Sequence, residues 1–370
     1  MFFHLILTSE CNLQCSYCHG EAVETIGENF GFDVDYSLPP RITYDICELK
    51  KFCEKDPECS VIFYGGEPLI CIEEMMRVMD EVKAKNFLLQ TNGIFLHKLP
   101  PEYLRRLHTI LVSIDGGETV TDRHRGRGCW KRVIENLRLT REKGFEGEII
   151  ARMTVMEGVD IYREVRWLVE NDIFPFSSVH WQLNAGFWRD FSKRNFERWI
   201  LESYNPGIEK LVSWWVDVME EGRVLKLYPF LGVAASLLLS EKSRLRCGAG
   251  WANYAIQTDG YIIPCPCMWG MKEFYLGHIS SSHPLKLREV GVGAPCTSCD
   301  VFDICGGRCL YANVVKAWDE KEYSVVCESV KRMIGALQEK LPEIKELIEA
   351  GRIKMDDFSY MKFNGCEIIP

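Results

Sequence analysis

Residues 2–18 read FFHLILTSECNLQCSYC: an apolar run of strand length, Phe2 to Thr8, and then Cys11, Cys15 and Cys18 on one short polar loop. The run predicts a buried strand, because it is apolar without a helical period and stops at Thr8, Ser9 and Glu10. The cysteine spacing is C-x3-C-x2-C, three soft thiolates with no fourth. Three thiolates can hold three irons of a [4Fe–4S] cluster and leave the fourth iron open to a ligand. A closed zinc site needs four protein ligands, and His19 is the residue that could complete one. The triplet alone leaves both open.

Outward from this loop, strand-length apolar runs recur at Ser60–Tyr64, Phe87–Thr91, Thr109–Ile114, Glu148–Val155 and Ser178–Leu183. Helical patterns lie between them, at Thr43–Lys55, Ile72–Lys85, Pro101–Leu107, Trp130–Lys143 and Ile161–Asn171. Strands alternating with helices predict parallel pairing through crossover helices, an α/β sheet or barrel. The rhythm stops near residue 185. Helical segments follow at Gly207–Glu221 and Tyr228–Ser240, then a Gly-, Pro- and Cys-rich stretch with a hairpin at Ala252–Pro264, then a helix at Val326–Ala350. A segment so poor in periodic apolar residues is expected to be organised by metal. Three divisions are expected: 1–235, 236–330 and 331–370.

Composition narrows the class. The 370 residues carry 44 Lys and Arg against 53 Asp and Glu, a net charge of −9, and 47% hydrophobic residues. That acidic balance argues against a nucleic-acid partner, which needs a basic footprint. The longest apolar stretch, Leu231–Leu239, is about half of what a membrane span requires. Met1–Leu7 lacks the basic flank of a secretory leader. Seventeen cysteines in such a chain point to a reducing, cytoplasmic setting and to metal binding rather than disulfides. Cys47, Cys53, Cys59, Cys71, Cys129 and Cys366 fit no ligand spacing and read as small buried hydrophobes.

Two further motifs carry chemistry. FYGGEPL places Gly65, Gly66, Glu67 and Pro68 directly after the second strand; the glycines permit close backbone approach, either to a ligand or within a tight turn. The later cysteines, Cys247, Cys265, Cys296, Cys299, Cys305, Cys309 and Cys327, follow C-x12-G-x4-C, a gap, C-x2-C-x5-C-x3-C, then x17-C, with Gly260 as the glycine. Seven thiolates need two metal centres.

CNLQCSYC followed by GGEP resembles the radical S-adenosylmethionine (SAM) superfamily, and the seven-cysteine run resembles the SPASM extension that follows its catalytic domain in some members. The resemblance implies a partial (β/α)6 barrel followed by a small SPASM domain with a hairpin and a C-terminal helix. It implies a SAM-binding [4Fe–4S] cluster on Cys11, Cys15 and Cys18, with Tyr17 near the adenine and Gly65, Gly66, Glu67 and Pro68 at the methionine amino group. Asn92, at the end of the third strand, and Ser113 and Asp115, at the end of the fourth, join the expected cofactor site. Arg125, twelve residues after Ser113, would meet the SAM carboxylate; the alternative is a surface arginine beside Arg123 and Arg127. A first auxiliary [4Fe–4S] cluster would take Cys247, Cys265 and Cys309, and a second Cys296, Cys299, Cys305 and Cys327. Some members add a cysteine six residues after the first; Asn253 stands there, so either Cys267 substitutes or one iron stays open.

The implied activity is reductive SAM cleavage to a 5′-deoxyadenosyl radical, which takes hydrogen from a ribosomally made peptide and leads to a crosslink or other modification. An archaeal-type peptide-modifying branch is the nearest layout. A low-potential donor such as ferredoxin or flavodoxin is the implied partner, with no nucleic acid and no membrane. The chain starts only a strand's length before Cys11, so no N-terminal leader-binding domain is expected. Sulfatase-maturing members carry an aspartate base after the cysteine equivalent to Cys265; Pro266 stands there and cannot titrate. A small-molecule radical SAM enzyme of cofactor biosynthesis and a non-catalytic iron–sulfur electron carrier are the alternatives. Trp181, Phe187, Trp188, Phe191, Trp199, Trp214 and Trp215 read either as core or as a peptide groove. No general base is identified.

Overall fold

The computed structural model describes residues 1–20, 26–365 and 369–370, so Cys366 lies outside the described residues. The chain forms two compact units: Met1–Ile114 with Glu118–Ile150 and Gly248–Gly291, and Asp115–Gly117 with Ala151–Cys247 and Val292–Pro370. The strands are β1 (Phe2–Thr8), β2 (Ser60–Gly65), β3 (Asn86–Thr91), β4 (Leu107–Ser113), β5 (Glu148–Val155), β6 (Ser178–Leu183), β7 (Lys226–Leu227), β8 (Asn253–Ile256) and β9 (Ile262–Ile263). The main helices are α1 (Ile46–Cys53), α2 (Ile72–Glu81), α3 (Glu118–Arg125), α4 (Cys129–Glu142), α5 (Ile161–Glu170), α6 (Asn205–Glu220), α7 (Tyr228–Leu239) and α8 (Glu320–Glu349).

In the first unit the strand order is β4-β3-β2-β1-β8-β9, parallel except for the β8–β9 hairpin. β1 sits inside this sheet, which is why its sequence is apolar without alternation: the consecutive residues Leu5, Ile6 and Leu7, which point to both faces, are all buried. Phe3 meets the ring of Phe52 on α1 edge-on at 5.1 Å and lies along Tyr254 of β8 at 6.1 Å. The expected α/β alternation is present. What the strand count did not anticipate is that the hairpin of the cysteine-rich stretch joins the sheet, with Phe2 beside Asn253 and Leu5 beside Ile256. Helix starts follow local chemistry; the Asp45 carboxylate accepts from the Cys47 N–H at 2.9 Å to cap α1.

In the second unit β6 pairs in parallel with the two-residue β7, a strand too short to announce itself in the sequence. α8 packs against α6 and α7. It starts at Glu320, six residues before the expected Val326, because Asp319 and Glu322 form a capping box. Trp181 gives its indole N–H to the Tyr204 hydroxyl at 3.0 Å, and Trp215 gives its own to the Leu225 carbonyl at 2.9 Å. These two and Trp199 are core residues. Phe187 stacks on Tyr311, and Phe191 meets Trp318 edge-on, so packing accounts for most of the aromatic-rich stretch. The strands form an open sheet. No described helix is long and apolar enough to cross a membrane.

Candidate active site

The end of β1 decides where the first cysteine loop goes. Its pairing with β2 shifts between Ile6 and Thr8, bringing Thr8 opposite Gly65. The Gly66 N–H then donates to the Thr8 carbonyl at 2.8 Å, and the Glu67 N–H to the Glu10 carbonyl at 2.9 Å. The GGEP stretch is thus zipped to the residues immediately before Cys11. A Cβ on Gly65 would stand 2.2 Å from the Thr8 oxygen, and one on Gly66 2.3 Å from the Glu10 oxygen. The glycines therefore serve, first of all, the contact of one loop backbone with another.

Glu67 is fully buried. Its carboxylate accepts from the Leu69 N–H at 3.0 Å, the Thr91 hydroxyl at 2.7 Å and the Asn92 N–H at 2.7 Å, tying the β2 loop to the end of β3. Burial outweighs these donors and raises its pKa to about 7. Asn92 carries the connection onward: its amide donates to the Asn12 side chain at 2.8 Å and lies 3.8 Å from the Cys11 sulfur, while its oxygen accepts from the Ile94 N–H. Burial likewise pushes the Cys11 thiol up, so the thiolate needs a positive partner.

The other half of the loop is gripped by α3. The Ser16 N–H donates to the His124 carbonyl at 3.0 Å, and the Ser16 hydroxyl lies 2.8 Å from His124 Nδ1. The Tyr17 ring, buried, sits 5.4 Å from the His124 ring and 5.4 Å beneath the Arg125 guanidinium. Arg125 is only 7% exposed whereas Arg123 and Arg127 face outward, so the surface-arginine alternative is set aside. His19 Nε2 lies 3.1 Å from the Cys267 carbonyl, and burial lowers its pKa to about 4. That nitrogen is turned to a backbone oxygen rather than to the three thiols. Ser113 closes β4 half-buried in the first unit; Asp115, in the second, is buried and accepts from the Thr154 N–H at 2.9 Å. Asp122 went unremarked in the sequence. It caps α4 by accepting from the Gly128 and Trp130 N–H groups at 2.6 and 2.8 Å, holding the α3 end that grips the loop.

Of the second set of cysteines, Cys296, Cys299, Cys305, Cys309 and Cys327 line one cavity of the second unit, about 490 Å³, within the range of small-ligand pockets. The Asn313 amide donates to the Cys296 sulfur at 3.6 Å. Burial pushes Cys305 up to about 12 and Cys327 to about 11. Buried thiols of this kind deprotonate when a metal supplies the charge, so the donor set fits a thiolate-ligated cluster. Cys247 and Cys309 belong to the second unit and Cys265 to the first. Asn253 is buried with its Oδ1 2.9 Å from His4 Nδ1, on the β1–β8 seam. Cys267 sits on the short turn Pro266–Met268 that follows Cys265. Among the described residues, no three His, Cys, Asp or Glu side chains gather closely enough for a single metal ion. Every described cysteine is a thiol rather than half of a disulfide.

Comparison with known proteins agrees with this geometry. Residues 5–165 match the radical SAM superfamily model. A cysteine-type anaerobic sulfatase-maturating enzyme of Clostridium perfringens is 23% identical over 353 residues, covering 88% of this chain and 92% of that protein. The radical SAM cyclopropyl synthase TigE of Paramaledivibacter caminithermalis is 22% identical over 378 residues, 91% of this chain and 73% of its own. The fold of anSMEcpe, solved with bound AdoMet and Cp18Cys peptide, superposes with a TM-score of 0.71 at 19% identity, over 94% of this chain and 99% of that one. A radical SAM domain takes a [4Fe–4S] cluster and S-adenosylmethionine, and the three-cysteine loop clamped between GGEP and α3 stands where the matched residues begin. Residues 5–165 are a radical SAM domain, the part of the chain that would carry a radical SAM enzyme's chemistry.

Proposed function

We propose that the protein is a peptide-modifying radical SAM/SPASM enzyme, with a catalytic barrel over 1–235, an auxiliary-cluster segment over 236–330 and a C-terminal helix and tail over 331–370. The observation that carries this reading is similarity along nearly the whole chain, cysteine-rich stretch included, to a sulfatase-maturating enzyme. The bound peptide in the similar solved fold supports a peptide substrate. When bound, SAM and its cluster supply a 5′-deoxyadenosyl radical able to abstract hydrogen from an unactivated carbon; the chain's residues orient and shield.

In this reading Cys11, Cys15 and Cys18 hold the first cluster. Asn92 and the Thr8–Glu67 backbone zipper fix the Cys11 side of the loop; His124 fixes the Ser16–Tyr17 side. Arg125 offers a planar, permanently charged fork to the SAM carboxylate. Gly65 to Pro68, Ser113 and Asp115 complete the SAM site. Cys296, Cys299, Cys305 and Cys327 hold one auxiliary cluster, and Cys247, Cys265 and Cys309 another, with Cys267 as its candidate fourth ligand. Pro266 carries no titratable group, so a proton released in the closing step goes to a residue other than the one sulfatase-maturing enzymes use. A low-potential ferredoxin or flavodoxin is the proposed electron donor.

The test is iron and sulfide content of anaerobically reconstituted protein, for wild type and for the Cys11/Cys15/Cys18→Ala variant, followed by 5′-deoxyadenosine formation with reductant. About twelve irons falling to about eight, with SAM cleavage abolished in the variant, is the expected result. Zinc in place of iron would overturn the reading.

A further inference from the structure

Arg308 stands between Gly307 and Cys309 and lines the cavity it shares with Cys296, Cys299, Cys305 and Cys327. It is 6% exposed. One terminal nitrogen donates to the Tyr323 hydroxyl at 3.1 Å and the other to the Leu183 carbonyl at 3.1 Å, and the group lies 6.0 Å from the Tyr323 ring centre. Its Nε is buried with no hydrogen-bond partner among the described residues. Both acceptors are neutral. A guanidinium never gives up its proton in a protein, so a full positive charge is buried here without a carboxylate. Such a charge is costly unless something negative shares its surroundings.

Of the other cations, Lys331 pairs with Asp300 at 3.0 Å and Glu328 at 3.6 Å, and Arg246, also buried, gives Nε to the Ile304 carbonyl at 3.0 Å and a terminal nitrogen to the Ser236 hydroxyl at 3.0 Å. For Arg308, burial opposes the charge, and Tyr323, Cys309 and Cys327 favour it. The sulfurs that favour its charge are those of Cys309, its chain neighbour, and Cys327, and both line the same cavity.

We infer that Arg308 is the fixed counter-charge of the auxiliary cluster held by Cys296, Cys299, Cys305 and Cys327, a positioning residue that raises that cluster's reduction potential, with Tyr323 and the Leu183 carbonyl holding it in place. The inference rests on the auxiliary-cluster reading above. Iron–sulfur potentials respond to net charge and to hydrogen bonding around the sulfurs. Reduction adds a negative charge, and a buried cation stabilises the reduced form more than the oxidised one.

The experiment is an anaerobic redox titration, followed by EPR, of the reconstituted full-length protein: wild type, Arg308→Met, Arg308→Lys and Tyr323→Phe, each with iron content measured. Wild type holding only about four irons would overturn the auxiliary-cluster reading itself, whatever the arginine does. With about twelve irons present, Arg308→Met should lower the reduced-to-oxidised ratio of one auxiliary signal roughly tenfold at fixed solution potential, a fall of about 59 mV in midpoint for one electron. Arg308→Lys and Tyr323→Phe, which keep the charge, should stay within about threefold of wild type on the same scale. The first cluster's midpoint serves as internal reference. An Arg308→Met midpoint equal to wild type overturns the inference, as does an Arg308→Lys shift as large as that of Arg308→Met. If Arg308→Met fails to load auxiliary iron, loading restored by Arg308→Lys supports the counter-charge, and failure of both assigns the residue to shape alone.

Discussion

Replacing Gly66 with alanine tests whether the GGEP turn positions the first cysteine loop. The added Cβ would lie 2.3 Å from the Glu10 oxygen and 2.6 Å from the Ser9 oxygen, both backbone atoms that cannot swing aside. Ordinary contact begins near 3.4 Å, so the two strands of backbone must part by roughly 1 Å. That movement stretches the Gly66–Thr8 and Glu67–Glu10 hydrogen bonds, now 2.8 and 2.9 Å, beyond useful length. Ser9 and Glu10 are exposed, so the loop yields before the core does. The stability loss is then about 2 kcal/mol from two weakened bonds and local overpacking. The functional loss is larger, because a misplacement of about 1 Å costs on the order of 100-fold in a positioned reaction. The assay is the rate of 5′-deoxyadenosine formation under reductant, read beside the melting temperature and iron content. Gly128→Ala is the control: it sits at φ +76° with open space around it, so it costs about 1 kcal/mol of backbone strain and leaves SAM cleavage unchanged. A Gly66→Ala enzyme cleaving SAM at the wild-type rate would refute the positioning argument, as would an equal loss in Gly128→Ala.

Other consequences follow from the same contacts. Asn92→Ala removes the tie to Asn12 and the cap on Ile94; it should destabilise by about 1–3 kcal/mol in chemical denaturation and lower first-cluster iron while leaving the auxiliary iron in place. Glu67 titrates near 7 in the fold against an ordinary 4.5, so the folded state binds the extra proton between those values. Stability should therefore fall as pH rises from about 4.5 to 7, by about 3 kcal/mol in all, and a Glu67→Gln variant whose denaturation midpoint keeps the same slope would contradict this. In the second unit Arg194 forks onto Glu157 with two contacts of 2.7 Å and lies over Phe196 and Trp318. Arg194→Ala removes both contacts to the half-buried Glu157 carboxylate, for a loss of about 3 kcal/mol by denaturant titration.

Much of this protein was legible in one dimension because the deciding features are local. An apolar run without alternation marks a strand covered on both faces, and β1, β5 and β6 begin and end at the expected residues. Cysteine spacing is local too: three thiols on eight residues stay on one loop whatever the rest of the chain does. The helix α8 was read too short because a capping box, rather than apolar period, sets its start. Tertiary structure alone decided what the loops lean on. Whether Gly66 faces a ligand or the Glu10 backbone, whether Glu67 greets solvent or two donors at the end of β3, and whether Arg125 is a surface or a buried arginine depend on residues tens of positions away. The joining of the hairpin to β1 pairs residues some 250 positions apart, and no sequence period records such a pairing. Arg308 is the sharpest instance. In the sequence it is one charge in a glycine- and cysteine-rich run; its burial without a carboxylate emerges only when Leu183, Tyr323 and the four thiols fold around it. Charge is carried by the residue, but its cost and its use are set by the dielectric and the partners that the fold supplies.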